Sequence, residues 1–141
     1  MSKTEYWITH SGAVNSSFST SIPTRIESTD QLTEALNRYA DKKVFILFIG
    51  TPEDKFQWCP DCQIAEPIIN SALRYLPSDC VFLTVHVGNR SKWTNADNEF
   101  RKFGNLNVSS VPTIVDYSQK RLLNLDSNPN MGMIVNFFRG N

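Results

Sequence analysis

The chain has 141 residues, 14 basic against 14 acidic side chains, and 40% hydrophobic content. A single domain of that length buries roughly two-thirds of its unfolded surface, and this balance excludes a globally disordered chain and any general electrostatic pull towards nucleic acid or an anionic membrane. No apolar run approaches the ~20 residues that cross a bilayer, and the opening Met1-Ser2-Lys3-Thr4-Glu5-Tyr6-Trp7 lacks the apolar stretch of a secretory leader, so a cytoplasmic monomer with neither nucleic-acid nor membrane partners is expected.

In chain order, residues 1–23 come first, rich in Ser and Thr with no sustained apolar period, and read as a mobile or loosely docked extension. Residues 24–141 form the domain proper. A short strand is expected near Arg25 to Ser28. Leu32, Ala35, Leu36 and Tyr39 then follow the stripe of an amphipathic helix, with Ser28 or Thr29 available as its cap. Val44 to Ile49 is a continuous apolar run, β-branched and aromatic, which suits a strand buried on both faces. A second helical stripe runs through Ile64, Ile68, Ala72 and Leu76, flanked by Ala65, Ile69 and Leu73. Val81 to Val87 is a further strand, Phe100 and Phe103 mark a short helix, Thr113–Tyr117 and Arg121–Leu125 form a hairpin, and Met133, Ile134, Phe137 and Phe138 close the chain as a helix. The order β-α-β-α-β-α-β-β-α describes an α/β fold whose mixed sheet ends in an antiparallel tail.

The chain has three cysteines, two of them placed as Cys59-Pro60-Asp61-Cys62. An odd count argues against a disulfide-stapled secreted domain, and CxxC in a reducing compartment reads as redox or metal chemistry. Ligands of α/β sheets collect where strands end and helices begin. Cys59 sits there, with Pro60 at a first helical position that needs no N–H. The unsatisfied N–H groups and positive end of the helix favour a thiolate at Cys59, and Cys62, one turn later, lies within disulfide reach. Cys59 is therefore the attacking thiol and Cys62 the resolving one. A merely structural thiol pair is the bland alternative. Zinc is the other, bound by Cys59, Cys62, Cys80 and His86. The last two are separated along one strand by roughly 20 Å at ~3.3 Å per residue, whereas zinc holds its ligands within about 2.3 Å, so no metal is expected. Cys80 reads as a buried structural thiol.

Trp58-Cys59-Pro60-Asp61-Cys62, Pro67 five residues later, and Val111-Pro112-Thr113 before a strand resemble a thioredoxin-fold oxidoreductase. More specifically, WCPDC with Ala65-Glu66-Pro67 behind it, Asp79-Cys80-Val81-Phe82, Val87-Gly88 with Trp93, and Asn98-Glu99-Phe100-Arg101 are similar to the Clot, or thioredoxin domain-containing protein 17, family. The resemblance spans about residues 24–139. It implies a thioredoxin-like fold, a cis Pro112 opposite the cysteines, and Val111 backbone groups offered to an extended substrate segment. It also implies that Trp58 and Pro60 contribute to the substrate surface, and that Pro67 deletes one helical hydrogen bond. No bound cofactor is implied. Electrons would come from NADPH through thioredoxin reductase as partner, with cystine, peptide disulfides, nitrosothiols or persulfides as substrates. The alternatives are a glutathione-coupled glutaredoxin-like protein and a non-catalytic thioredoxin-fold adaptor.

Asp61 departs from ordinary thioredoxins, which keep a buried Asp in the strand that here reads Phe45-Ile46-Leu47-Phe48-Ile49. With that carboxylate missing, Asp61 is either the proton partner of Cys62 or simply a favourable acid in a helical first turn. As a nearby anion it also opposes thiolate formation. A long Gly50–Gln57 connection and the Gly88–Asn95 loop are read either as two walls restricting the site to small disulfides or as ordinary surface loops.

Overall fold

The computed structural model describes residues 25–140; the Ser/Thr-rich extension lies outside them. Helix α1 (Thr29–Arg38) opens on Ser28, whose side chain accepts the Gln31 N–H at 3.1 Å, and buries Leu32 and Ala35. Strand β1 (Lys43–Ile49) follows, with every residue from Val44 onward buried. Helix α2 (Pro60–Ala72) continues through a 3-10 turn at Leu73–Tyr75 into strand β2 (Cys80–His86). Helix α3 (Arg90–Trp93) and a 3-10 segment at Glu99–Asn105, kinked where Gly104 adopts a φ of 58°, lead to the hairpin β3 (Thr113–Asp116) and β4 (Arg121–Asn124). Helix α4 (Met131–Phe138) closes the domain.

The sheet order is β2-β1-β3-β4, with β1 parallel to β2 and antiparallel to β3, and β3 antiparallel to β4. This mixed sheet flanked by helices is a thioredoxin-like α/β fold. Alternate β1 side chains leave opposite faces. Phe45 meets Phe138 and Phe137 of α4, with ring centroids 5.1 and 6.0 Å apart, on the side where α2 and α4 touch. Phe48 meets Phe100 at 6.1 Å on the side where α1 contacts the 3-10 segment. Both faces are covered, which is why the run carries no polar residue. Among the described residues no helix is long and apolar enough to cross a membrane.

Two expectations are corrected. The strand expected at Arg25–Ser28 is a single parallel bridge from Ile26 to Val85, because Ser28 is already committed to capping α1. The apolar face of α2 is also rotated from the expected stripe. Cys62, Ala65, Ile69 and Ala72 are buried, followed by Leu73 and Leu76, while Ile64 is 58% exposed. At 100° per residue, the phase that turns Cys62 inward carries Ile64 to the outer side.

A buried carboxylate does exist in the sheet, on β3 and not on β1. Asp116 is fully buried and pairs with Arg121 at 3.1 Å and Lys43 at 3.4 Å. Burial alone would raise its pKa, but the Arg121 bond, Lys43, the Gln119 N–H and the Ser118 hydroxyl outweigh it and hold the carboxyl below the ordinary value. Asp116 lies opposite Phe45, four positions back from the strand end that feeds the cysteines, roughly 13 Å away. Cys80 is a free, buried thiol at this same far end, paired in register with Lys43. Burial pushes its thiol up, Lys43 opposes, and Asp79 and Asp116 add to the rise. Cys80→Ala should therefore leave disulfide turnover near wild type and cost on the order of 1 kcal/mol in stability; steady-state kinetics and urea unfolding of the same preparation check both. A large loss of turnover at unchanged stability would place Cys80 in the chemistry.

Candidate active site

The site is built on the start of α2. Cys59 is the N-cap, with Pro60 at the first helical position, and its sulfur accepts the Cys62 N–H at 3.1 Å. A sulfur thus takes the place of the usual capping oxygen, and a thiolate there satisfies an otherwise orphaned donor. Cys59 and Cys62 are joined as a disulfide with Cα atoms 5.1 Å apart. Both cysteines are buried, Cys59 with 4% of its surface exposed and Cys62 with none.

The Val111–Pro112 bond is cis, and the Val111 carbonyl oxygen lies 3.8 Å from Cys59 Sγ. Among the described residues Val111 gives neither its N–H nor its C=O to a backbone partner, whereas the Pro112 carbonyl accepts from Leu125 N–H at 2.9 Å. Val111 therefore presents a free backbone edge beside the redox sulfur. Asp61 is half-buried in the first turn of α2, and its carboxylate accepts no hydrogen bond from the described residues. Pro60 is exposed.

The peptide unit entering Cys59 is held from both ends. Its N–H, on Cys59, donates to Gln57 Oε1 at 3.2 Å, and Gln57 Nε2 donates to the Gly50 carbonyl at 2.9 Å. Its carbonyl, on Trp58, accepts from Arg90 Nη2 at 3.0 Å. The same guanidinium lies over the Trp58 ring, 5.2 Å from its centroid, while Trp58 Nε1 donates to the Gly88 carbonyl at 3.2 Å. Trp58 is only 9% exposed and buttresses the motif from behind. A Cβ on Gly50 would come within 2.8 Å of both Gln57 Oε1 and the Trp58 ring, so only glycine lets the indole lie flat against β1's end. Sequence reasoning missed the part played by Gln57 and gave Arg90 only a place in a loop. Both act through side chain–backbone bonds, two from Gln57 and one from Arg90, which leave no periodic signal.

The two connecting loops form one wall. In Gly50–Gln57, Glu53 and Phe56 exchange hydrogen bonds of 2.8 and 2.7 Å across Asp54 and Lys55, both with positive φ, a tight turn of the hairpin kind. Thr51 N–H donates to the Gly88 carbonyl at 3.0 Å, Gly88 N–H to Thr51 Oγ1 at 2.8 Å, and Asn89 Nδ2 to Glu53 Oε2 at 2.8 Å. The expected Gly88–Asn95 loop is in fact helix α3, capped by Asn89. Behind this wall lies a cavity of about 550 Å³, lined by Glu27, Thr51, His86, Gly88, Asn98 and Glu99 among others.

Residues 22–140 match the family described as thioredoxin domain-containing protein 17-like, thioredoxin domain. The chain belongs to that family. It is 34% identical over 95 residues to thioredoxin domain-containing protein 17 of Homo sapiens, covering 67% of this chain and 76% of that protein. The corresponding protein of Epinephelus coioides is 35% identical over the same coverage. Thioredoxin-like protein Clot of Arabidopsis thaliana is 30% identical over 95 residues, 66% of this chain and 71% of that protein. Family membership and the Cys59–Cys62 disulfide together make this a thioredoxin-like domain with a redox-capable cysteine pair.

Proposed function

We propose that this family member is a thiol–disulfide oxidoreductase that reduces small and peptide disulfides such as cystine, and also nitrosothiols and persulfides, in the cytoplasm as a monomer. The observation that carries the reading is Cys59 Sγ at the α2 N-cap, taking the Cys62 N–H on one side and facing Val111 next to cis Pro112 on the other. The Cys59 thiolate attacks one substrate sulfur; the substrate S–S bond breaks and its leaving thiolate takes a proton. The Cys62 thiolate then attacks the Cys59 sulfur, releasing the second substrate thiol and forming the Cys59–Cys62 disulfide. The dithiol loses two electrons and the substrate gains them, and NADPH through thioredoxin reductase restores the dithiol. The wall of Gly50–Gln57 and α3 favours small substrates, Val111 offers its backbone edge to peptides, and exposed Pro60 forms the motif's surface with Trp58 packed behind it.

A coupled assay with thioredoxin reductase and NADPH, offering cystine, insulin and a glutathionylated peptide, tests the reading. The expected result is rapid NADPH oxidation with cystine and slow turnover of insulin. Activity only with glutathione and glutathione reductase would favour a glutaredoxin-like protein, and no activity with any substrate a non-catalytic adaptor.

Asp61 has the proton-carrier role in this proposal, because Asp116, the buried carboxylate of the sheet, is committed to Lys43 and Arg121. Asp61→Asn should speed the first attack, by removing an anion near Cys59, and slow the resolving step. General acid–base assistance is worth about 10²–10⁴-fold, with thiol exchange expected at the low end. Stopped-flow with a chromogenic disulfide, following attack and release separately across pH, reads the two opposite signs. Unchanged pH profiles for both steps would remove Asp61 from proton transfer.

A further inference from the structure

Arg90 is exposed, yet its guanidinium is fixed in place by the Trp58 carbonyl at 3.0 Å and the Trp58 ring at 5.2 Å. The bonded carbonyl belongs to the peptide unit that ends at Cys59, so a cation is anchored to the backbone that leads into the attacking residue. A guanidinium has five N–H donors, and Arg90 directs one of them to the described residues. No carboxylate among those residues lies within ion-pair distance of it. A planar donor edge, already ordered, binds a carboxylate with little further loss of side-chain freedom. In a cystine half the carboxylate is separated from sulfur only by the α and β carbons, so a sulfur approaching Cys59 brings its carboxylate towards this edge.

We infer that Arg90 is a specificity-determining residue that recognises a carboxylate carried close to the substrate's disulfide sulfur. The inference rests on the reductase reading above and adds the substrate class to it. Overall field cannot be the source of such a preference, since the chain's formal net charge is zero. Selection must come from the local contact.

The test uses the full-length, pre-reduced protein without any reductase. It is mixed in separate runs with dithiodipropionate (carboxylates), hydroxyethyl disulfide (neutral) and cystamine (ammonium groups), acid-quenched, and its remaining thiols counted by alkylation and mass. The rate ratio of dithiodipropionate to hydroxyethyl disulfide should fall about tenfold in Arg90→Gln, equivalent to 1.4 kcal/mol, while cystamine gains relative to the neutral compound. Arg90→Lys should keep most of the wild-type ratio. In the wild-type protein raised salt should lower the carboxylate-to-neutral ratio, a reading that needs no variant to fold. If both rates fall together in Arg90→Gln, with the ratio within twofold of wild type, Arg90 only steadies Trp58 and the inference is overturned while the reductase reading stands. A salt-independent wild-type ratio would equally count against it. A wild-type protein inert to all three disulfides would overturn the reductase reading, and this inference with it.

Discussion

Cys59→Ser should abolish disulfide turnover, whereas Cys62→Ser should still attack substrate and then accumulate the mixed disulfide on Cys59. The asymmetry follows from where α2 begins. Cys59 is the N-cap, its sulfur takes a helix N–H, and it retains slight exposure, so it is both activated and reachable. Cys62 lies one turn inside the helix with no exposed surface, and the nearest sulfur it can attack is that of Cys59. Loss of the nucleophile removes all turnover; loss of the resolving thiol stops the cycle after its first step. Intact mass of each variant after incubation with cystine checks this: a stable adduct of one cysteine on Cys62→Ser and none on Cys59→Ser. Trapped adducts on Cys59→Ser, or equal alkylation of both thiols in the reduced protein at neutral pH, would reverse the assignment.

The second large effect is on stability and comes from His86, at the end of β2. Burial first, and then the positive charge of Arg25, push its pKa from 6.5 down to about 4. Its Nδ1 is buried without a partner among the described residues. The carboxylates of Glu27, Glu53, Asp97 and Glu99 line the same cavity. The unfolded chain therefore binds a proton that the folded chain refuses between pH 6.5 and about 4, so stability is full above that window and falls as pH drops through it. At pH 4.5 the loss from this group alone is on the order of a few kcal/mol. Asp116, with its depressed carboxyl, adds to acid instability only below its ordinary value. Urea unfolding at pH 7.5 and pH 4.5 should show that loss in the wild-type protein and less than about half of it in His86→Gln. The same decrease in both proteins would mean that other groups carry the acid sensitivity.

Much of the fold was legible because its signals are local. The Val44–Ile49 run is a strand covered on both sides, and the closing helix buries Ile134, Phe137 and Phe138. The CxxC after a buried strand placed both redox sulfurs, while the place of Pro112 opposite them came from the family resemblance that Val111-Pro112-Thr113 carries. What could not be read depends on individual side-chain contacts that leave no periodic signal in the sequence. The α2 stripe was ambiguous because Ile64, Ala65, Ile68 and Ile69 spread apolar groups over an arc of about 140°, and only the inward turn of Cys62 selects which part of it is buried. Gln57 and Arg90 are polar loop residues by sequence, and their hold on the Cys59 peptide spans two and 32 positions between bonded residues. Asp116 sat in an expected strand with no sign of burial, since its partners Lys43 and Arg121 come from other strands. The two connecting loops gave no hint that Thr51, Glu53, Gly88 and Asn89 would bond them into one wall.

In the proposed cycle Cys59 and Cys62 together carry two electrons to a small disulfide while Cys80 stays outside the reaction. The cycle is tested most directly by mixing the fully reduced protein, with its three cysteines, with one equivalent of cystine in the absence of any reductase. The mixture is then alkylated and the thiols mapped by peptide mass. Two free cysteine molecules released per chain, a Cys59–Cys62 cross-linked peptide, and alkylation at Cys80 alone are the expected result. Three alkylated thiols with cystine intact, or a disulfide that includes Cys80, would contradict it.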